Sequence, residues 1–168
     1  MQINEIKILF DYAYWADERL LQAVAGIDED QLNAQMPNGI GSIRVTLVHM
    51  LSGKWIWRLR WQGEKPTAMM RSDDFPTLET IRTRWQEEKA QMYVLLATLR
   101  DEDMERAISY SSTMAPGKVL TVSLWQGMVH LINHLTQHRS EIAMRLTDLG
   151  HSPGEFGMSY FLNQKLLE

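Results

Sequence analysis

Histidines at every fourth residue place the strongest constraint on this chain. His130, His134 and His138 lie in a run without glycine or proline that extends from residue 128 to residue 149. Residues four apart share one face of an α-helix, so the pattern predicts a helix with all three rings on one stripe. Apolar residues accompany them along the same predicted helix: Leu124, Leu131, Leu135, Ile142, Leu146 and Leu149. The rings are therefore expected to point into a packed bundle or along its edge, where imidazole needs a polar partner.

Paired histidines one helical turn apart are typical of a divalent-metal site, because neutral imidazoles side by side supply two ligands. A lone inward histidine is, by contrast, more often a hydrogen-bonded core residue. A third ligand must come from elsewhere, and the candidates are His49 and His151. His151 follows Gly150 in a predicted loop, whereas His49 lies within a predicted helix. His49 is the better candidate.

The composition excludes several other kinds of site. The 168 residues include no cysteine, which excludes disulfides, thiolate ligands and a cysteine nucleophile and leaves histidine and carboxylate as strong metal ligands. The net charge of -4, without a dense Lys/Arg cluster, argues against a nucleic-acid partner. With 45% apolar and 23% charged residues, the chain is expected to form one globular domain over residues 1–168.

No segment resembles a membrane span or a signal peptide. No window approaches the roughly eighteen uninterrupted apolar residues of a spanning helix, and the first residues already begin an amphipathic pattern. We therefore expect a cytoplasmic protein with no membrane partner.

Apolar periodicity predicts four long helices, with Ser42 and Thr77 as N-caps of the second and third. Their expected bounds are about 3–26, 42–63, 77–99 and 121–149. Segments 107–110 and 119–122 flank Met114–Gly117 and suggest a loose β-hairpin, and residues 156–167 suggest a short amphipathic tail. The pattern predicts an all-α four-helix bundle whose longer connections permit crossovers.

The same periodicity assigns residues to inner and outer faces. In the second helix it predicts one core stripe: Leu47, Met50, Leu51, Trp55 and Leu59. It leaves Trp57 and Trp61 exposed, and because a monomer rarely leaves such an apolar strip in water, a homodimer is expected. On the first and third helices, Asp17 and Glu88 are assigned to charged outer faces.

Four segments resemble the DinB/YfiT-like family of metalloenzymes, a superfamily of four-helix bundles. Residues 14–21 (YWADERLL) resemble the first-helix signature, and residues 42–50 (SIRVTLVHM) resemble the second-helix segment that bears the first ligand. Residues 129–142 (VHLINHLTQHRSEI) resemble the fourth-helix pattern NHxxHHRGQI, and residues 149–153 (LGHSP) resemble the closing LGHxP. The resemblance covers nearly the whole chain and implies a DinB-like four-helix bundle.

The resemblance also implies a ligand set and a reaction class. The metal ligands would be His49, His134 and His138, holding one divalent transition ion, Zn²⁺ or Ni²⁺. The best-understood members are thiol-dependent S-transferases and isomerases that use bacillithiol or mycothiol. A similar activity here would act on a small molecule and need a low-molecular-weight thiol as co-substrate. The alternatives are a hydrolase that uses metal-activated water and a non-catalytic, metal-stabilised dimeric bundle.

Departures from the family pattern leave the three ligands in place. Gln137 stands where a further histidine is frequent, and residues 140–141 (SE) stand where Gly-Gln is common. Gly53 replaces an acidic residue often found one turn after the first histidine. As a helical glycine, Gly53 indicates either close packing, which we favour, or room above a site.

Several further side chains are candidates for the surroundings of the ligands. His130, one turn before His134, is a candidate base, partner of a ligand or core residue. Glu141, one turn past His138, is a candidate acceptor for a ligand's second ring nitrogen. Three aromatic side chains are candidates for the cavity lining or the plain core: Trp15, Trp85 and Tyr93.

Overall fold

The computed structural model describes residues 1–111 and 117–165. Four long helices dominate: α1 (Ile3–Val24), α3 (Ile43–Trp61), α4 (Leu78–Thr98) and α5 (Leu124–Asp148). Shorter elements are α2 (Glu29–Asn33), the strands β1 (Ala107–Ser111) and β2 (Val119–Ser123), and α6 (Met158–Lys165). In the described part of the chain, no helix combines the length and apolar character that a membrane crossing requires.

The helix boundaries follow local chemistry. Ser42 Oγ accepts a hydrogen bond from the Val45 N–H, and Thr77 Oγ1 accepts one from the Thr80 N–H, so both predicted N-caps are confirmed. Gly150 has a φ of 83°, the left-handed conformation that ends α5. These three ends therefore carry residue types that help to satisfy the unpaired backbone groups of a helix terminus.

The four long helices form a bundle with crossing connections, as predicted. Contacts follow the cyclic order α1, α5, α3, α4 and back to α1, so the consecutive helices α1 and α3 lie diagonally. Lys54 lies over the Trp85 ring and Arg58 bonds Glu88 one turn further on, so α3 and α4 run parallel. Helices α1 and α5 are also parallel to each other and run opposite to α3 and α4. The order is up-down-down-up.

The predicted hairpin is present, and it shortens the fourth helix. Strands β1 and β2 pair antiparallel, with Ile108 opposite Val122 and Ala107 opposite Ser123. Because residues 119–123 are committed to this ladder, α5 begins at Leu124 and not at the expected Thr121. The predicted turn residues 114–116 and the predicted end of the tail at Leu167 lie outside the described residues.

The inward face of α3 differs from the predicted one. Trp57 and Trp61 are buried, whereas Trp55 and Leu59, assigned to the core, are half-buried. Lys54 and Arg58 of α3 also point inward, beside these tryptophans. The buried face of the helix therefore differs from the face predicted from its apolar residues. The homodimer prediction rested on exposed Trp57 and Trp61, so it loses that basis.

Two carboxylates assigned to outer faces are in fact buried. Asp17 and Glu88 are both fully buried. Asp17 is paired with Lys54 of α3 and Arg139 of α5. Glu88 is paired with Arg58 of α3. These pairs explain how a charge is accommodated in the core. Those partners come from distant parts of the chain, so periodicity along a single helix could not reveal them.

Candidate metal centre

Helices α3 and α5 bring three histidines together. His49 Nε2 lies 3.1 Å from His134 Nε2, and His138 Nε2 lies 3.2 Å from the same atom. The available ligand atoms of the three residues all lie within 4.8 Å of one another. The antiparallel packing of α3 against α5 therefore produces the cluster expected from the sequence.

The spacing of these nitrogens fits a divalent ion. Zn–N distances of about 2.0–2.1 Å in a tetrahedral arrangement separate two ligand nitrogens by roughly 3.3 Å. The two short separations are close to that value. Three imidazole lone pairs converging at this distance repel one another unless a cation or protons lie between them. The donor set is thus chemically suited to a divalent transition ion.

Glu141 holds the ring of His138. Its Oε2 lies 2.7 Å from His138 Nδ1, so the Nδ1–H donates to the carboxylate and the Nε2 lone pair faces His134 and His49. Gln137 Nε2 donates to the other carboxylate oxygen at 3.1 Å. Burial acts to raise the pKa of Glu141, but these hydrogen bonds outweigh it and the pKa is lowered. The carboxylate therefore stays charged and keeps its acceptor role.

The pKa values of two of the three rings are lowered, which favours their neutral form. Burial, followed by the nearby His138 and His49 rings, lowers the pKa of His134 to about 4. Burial and His138 also lower the pKa of His49. A metal ion binds the neutral imidazole, so this environment holds two of the three rings in the ligand form.

The other two histidines do not join the cluster. His130 is exposed, with its ring 6.2 Å from the His134 ring and 5.3 Å from the Trp57 ring. This position excludes the core role considered for it. His151 packs at the C-terminal end of α1, where its Nδ1 would lie 2.7 Å from a Cβ placed on Gly26.

Gly53 is a packing glycine beside the cluster. A Cβ at this position would lie 3.7 Å from His134 Cε1 and 3.8 Å from Leu131 Cδ1, which is ordinary van der Waals contact. Gly53 therefore both packs closely against α5 and lies beside the site, because the side chain that packs against it is that of His134 in the cluster.

One protein-family model matches this chain. The sequence model of the DinB family matches residues 1–165. The chain belongs to the DinB family. Comparison with curated proteins gives no match.

Solved structures share the fold at low sequence identity. YfiT from Bacillus subtilis, described as a probable metal-dependent hydrolase with an unusual four-helix bundle topology, is similar with a TM-score of 0.60 and 18% identity over 88% of this chain and 86% of that one. A conserved protein from Enterococcus faecalis is similar with a TM-score of 0.62 and 12% identity over 83% of this chain and 94% of that one. These likenesses confirm the DinB-like bundle.

A buried charge cluster in this DinB-family chain was not foreseen. Asp17 on α1 forms ion pairs with Lys54 on α3 and, at 2.8 Å, with Arg139 on α5. Arg139 also donates to the Ala13 carbonyl oxygen at 3.2 Å, and its neighbour in the chain is His138. Burial lowers the pKa of Lys54 to about 8, while Asp17 acts in the opposite direction. Asp17 and Arg139 stand in the family-like segments, but nothing in the sequence indicated that they meet.

The aromatic candidates lie away from the histidine cluster. Trp85 lies beneath the Lys54 ammonium, 3.9 Å from Nζ to the ring centroid. Tyr93 donates its hydroxyl hydrogen to Asp11 at 2.9 Å. Trp15 packs against Phe161 of α6, with the ring centroids 5.4 Å apart. These rings serve packing between helices.

Proposed function

We propose that this protein is a metal-dependent enzyme that binds one divalent transition ion, Zn²⁺ or Ni²⁺, through His49, His134 and His138. The observation that carries the proposal is the convergence of their ring nitrogens at 3.1 and 3.2 Å. A bound ion would supply Lewis-acid activation of water or of a thiol near neutral pH. The substrate is expected to be a small molecule.

Neighbouring side chains of this protein hold two of the histidine rings in a form suited to binding a metal ion. His138 is fixed in one tautomer by Glu141, and the depressed pKa of His134 keeps that ring unprotonated. His130 lies exposed one turn away, with its ring 6.2 Å from the His134 ring, at the rim of the proposed site.

Two reaction classes share this centre. S-transfer from a low-molecular-weight thiol is the class implied by the family resemblance, and the absence of cysteine means that the thiol must be a co-substrate. Hydrolysis is supported by the description of YfiT from Bacillus subtilis. The two classes differ in the nucleophile, so substrate panels separate them.

The test measures turnover with and without metal. Metal-loaded protein is assayed with low-molecular-weight thiols and electrophilic acceptors, and separately with ester and amide substrates. Both the chelated protein and His138→Ala are expected to lose activity while keeping their helical circular dichroism, because the apolar stripe of α5 survives the substitution. His151→Ala is the control and should remain active.

Two outcomes of this assay would count against a metal-dependent enzyme. Turnover that persists in chelator would contradict metal dependence. No turnover on either panel, with a metal-loaded site, would favour the non-catalytic alternative. That alternative also predicts closed coordination and a large loss of stability on chelation. The homodimer and the cytoplasmic location remain predictions, and sedimentation at micromolar concentration tests the dimer.

A further inference from the structure

A second feature able to bind a ligand lies beside the C-terminal half of α3. A cavity of about 610 Å³ opens between this helix, the 64–69 connector and the β-hairpin. Its wall includes Ile56, Met69 and Val119 as apolar surfaces and Arg60 as a cation. The volume is in the range of small-molecule sites.

Arg60 lacks a counter-charge in the part of the chain that the structure describes. Its guanidinium carbon lies 4.5 Å from the Tyr110 ring centroid and 5.0 Å from that of Trp57, and Nη2 donates to the Ser111 carbonyl oxygen at 3.4 Å. None of the salt bridges among the described residues includes Arg60, whereas Arg58, two residues earlier, is paired with Glu88.

The environment of this guanidinium favours an anion. Burial lowers the pKa of Arg60, with Tyr110 acting in the opposite direction, which is the mark of a partly desolvated charge. Glu64 and Lys65 also line the cavity, but both are exposed. A flat guanidinium stacked on aromatic rings presents its N–H edge to carboxylate, sulfonate or phosphate oxygens.

The cavity lies further along α3 than the histidine cluster. His49 and Ile56 are seven residues apart, which places them on the same helix face about 10 Å from each other.

A row of rings in contact also lies between the two sites. His130 lies 6.2 Å from His134, Trp57 lies 5.3 Å from His130, and Tyr110 lies 4.9 Å from Trp57.

We propose that the cavity binds a small molecule with one anionic group held by Arg60 and an apolar body against Ile56, Met69 and Val119. That this molecule is the substrate rests on the proposed metal-dependent function, but its binding does not. The substrate class is an amphipathic organic anion.

Fluorescent probes of matched shape test the binding. Anilinonaphthalene sulfonate carries an anionic group, and N-phenyl-1-naphthylamine is its neutral counterpart. The metal-free and the metal-loaded protein should each bind one sulfonate probe per chain. Arg60→Met should weaken the sulfonate probe by roughly 10- to 100-fold and leave the neutral probe within about twofold, because a charge-assisted contact is lost while the apolar wall remains.

A control variant and a displacement experiment complete the test. Arg71→Met removes an exposed arginine paired with Asp73 and should change neither affinity. On the unmodified protein, octanoate should displace the sulfonate probe at concentrations where octanol does not, a measurement that does not depend on the variant folding. Equal displacement by both, or an unchanged sulfonate affinity in folded Arg60→Met, would overturn the proposal. Loss of metal binding with the Arg60 effect intact would refute the proposed function alone.

Discussion

At the scale of single residues, the histidine cluster depends on a carboxylate that is not itself one of the three histidines. Glu141 accepts the His138 Nδ1–H at 2.7 Å and so fixes which ring nitrogen faces the cluster. Outer partners of this kind raise ligand basicity and restrict ring rotation. The i, i+3 spacing on one helix made this contact predictable from sequence, because both residues share a face.

Glu141→Gln tests the carboxylate directly. We expect metal affinity, measured by competition with a chromogenic chelator, to fall roughly 10- to 100-fold, because the amide is a weaker acceptor for the imidazole N–H. Ser140→Ala, at the exposed neighbouring position, is the matched control and should bind like the wild type. Unchanged affinity in Glu141→Gln would remove Glu141 from the site.

Two helical glycines give a second test at this scale. A Cβ on Gly53 would sit 3.7 Å from His134, whereas a Cβ on Gly127 would sit 3.1 Å from both Trp57 Cζ3 and Trp61 Nε1. Gly53→Ala should therefore stabilise the metal-free protein by up to about 1 kcal/mol through helix propensity. Gly127→Ala should destabilise it by about 1–3 kcal/mol through overpacking. Urea unfolding measures both, and shifts of the same sign would show that this packing is wrong.

At the scale of elements, α3 is a helix whose buried face cannot be predicted from the periodicity of its apolar residues. Lys54 and Arg58 lie on its buried face next to Trp57 and Trp61. A prediction from the spacing of apolar residues therefore assigns Trp55 and Leu59, which are half-buried, to the core instead. Helix α5 is the opposite case, because its buried residues are mostly apolar and its interior was predicted well. The sequence does not show which residue pairs with each buried charge, because that residue lies on another helix.

The ion pairs of Asp17 join three helices, and Asp17→Asn tests their contribution. This change leaves Lys54 and Arg139 buried with a weaker acceptor and should lower the free energy of unfolding by about 3–5 kcal/mol, the usual cost of an unpaired buried charge. Lys89→Met, which removes the more exposed pair with Glu18, should cost no more than about 1 kcal/mol.

Urea unfolding with Asp17→Asn, Lys54→Met and the double variant completes this test. The two substitutions should be non-additive, because each removes the same ion pair. Additive effects, or an Asp17→Asn cost as small as that of Lys89→Met, would mean that the buried charges do not act together.

At the scale of the whole molecule, the up-down-down-up order places the centre between helices that are distant in sequence. His49 lies 85 residues before His134, and the antiparallel contact of α3 with α5 brings them together. The fold class and the cluster could be predicted because helical spacing and family-like segments mark them. The cavity at Arg60 could not, because it depends on how the hairpin and the 64–69 connector pack on α3.

Metal content is the most direct test of the central claim. Elemental analysis of the purified protein should find about one divalent transition ion per chain, and His49→Ala and His134→Ala should each lose most of it, because a three-ligand site is weak once one ligand is gone. His151→Ala should retain the ion. Full occupancy in both His49→Ala and His134→Ala, each with wild-type helical content, would contradict the assignment of the metal to this cluster.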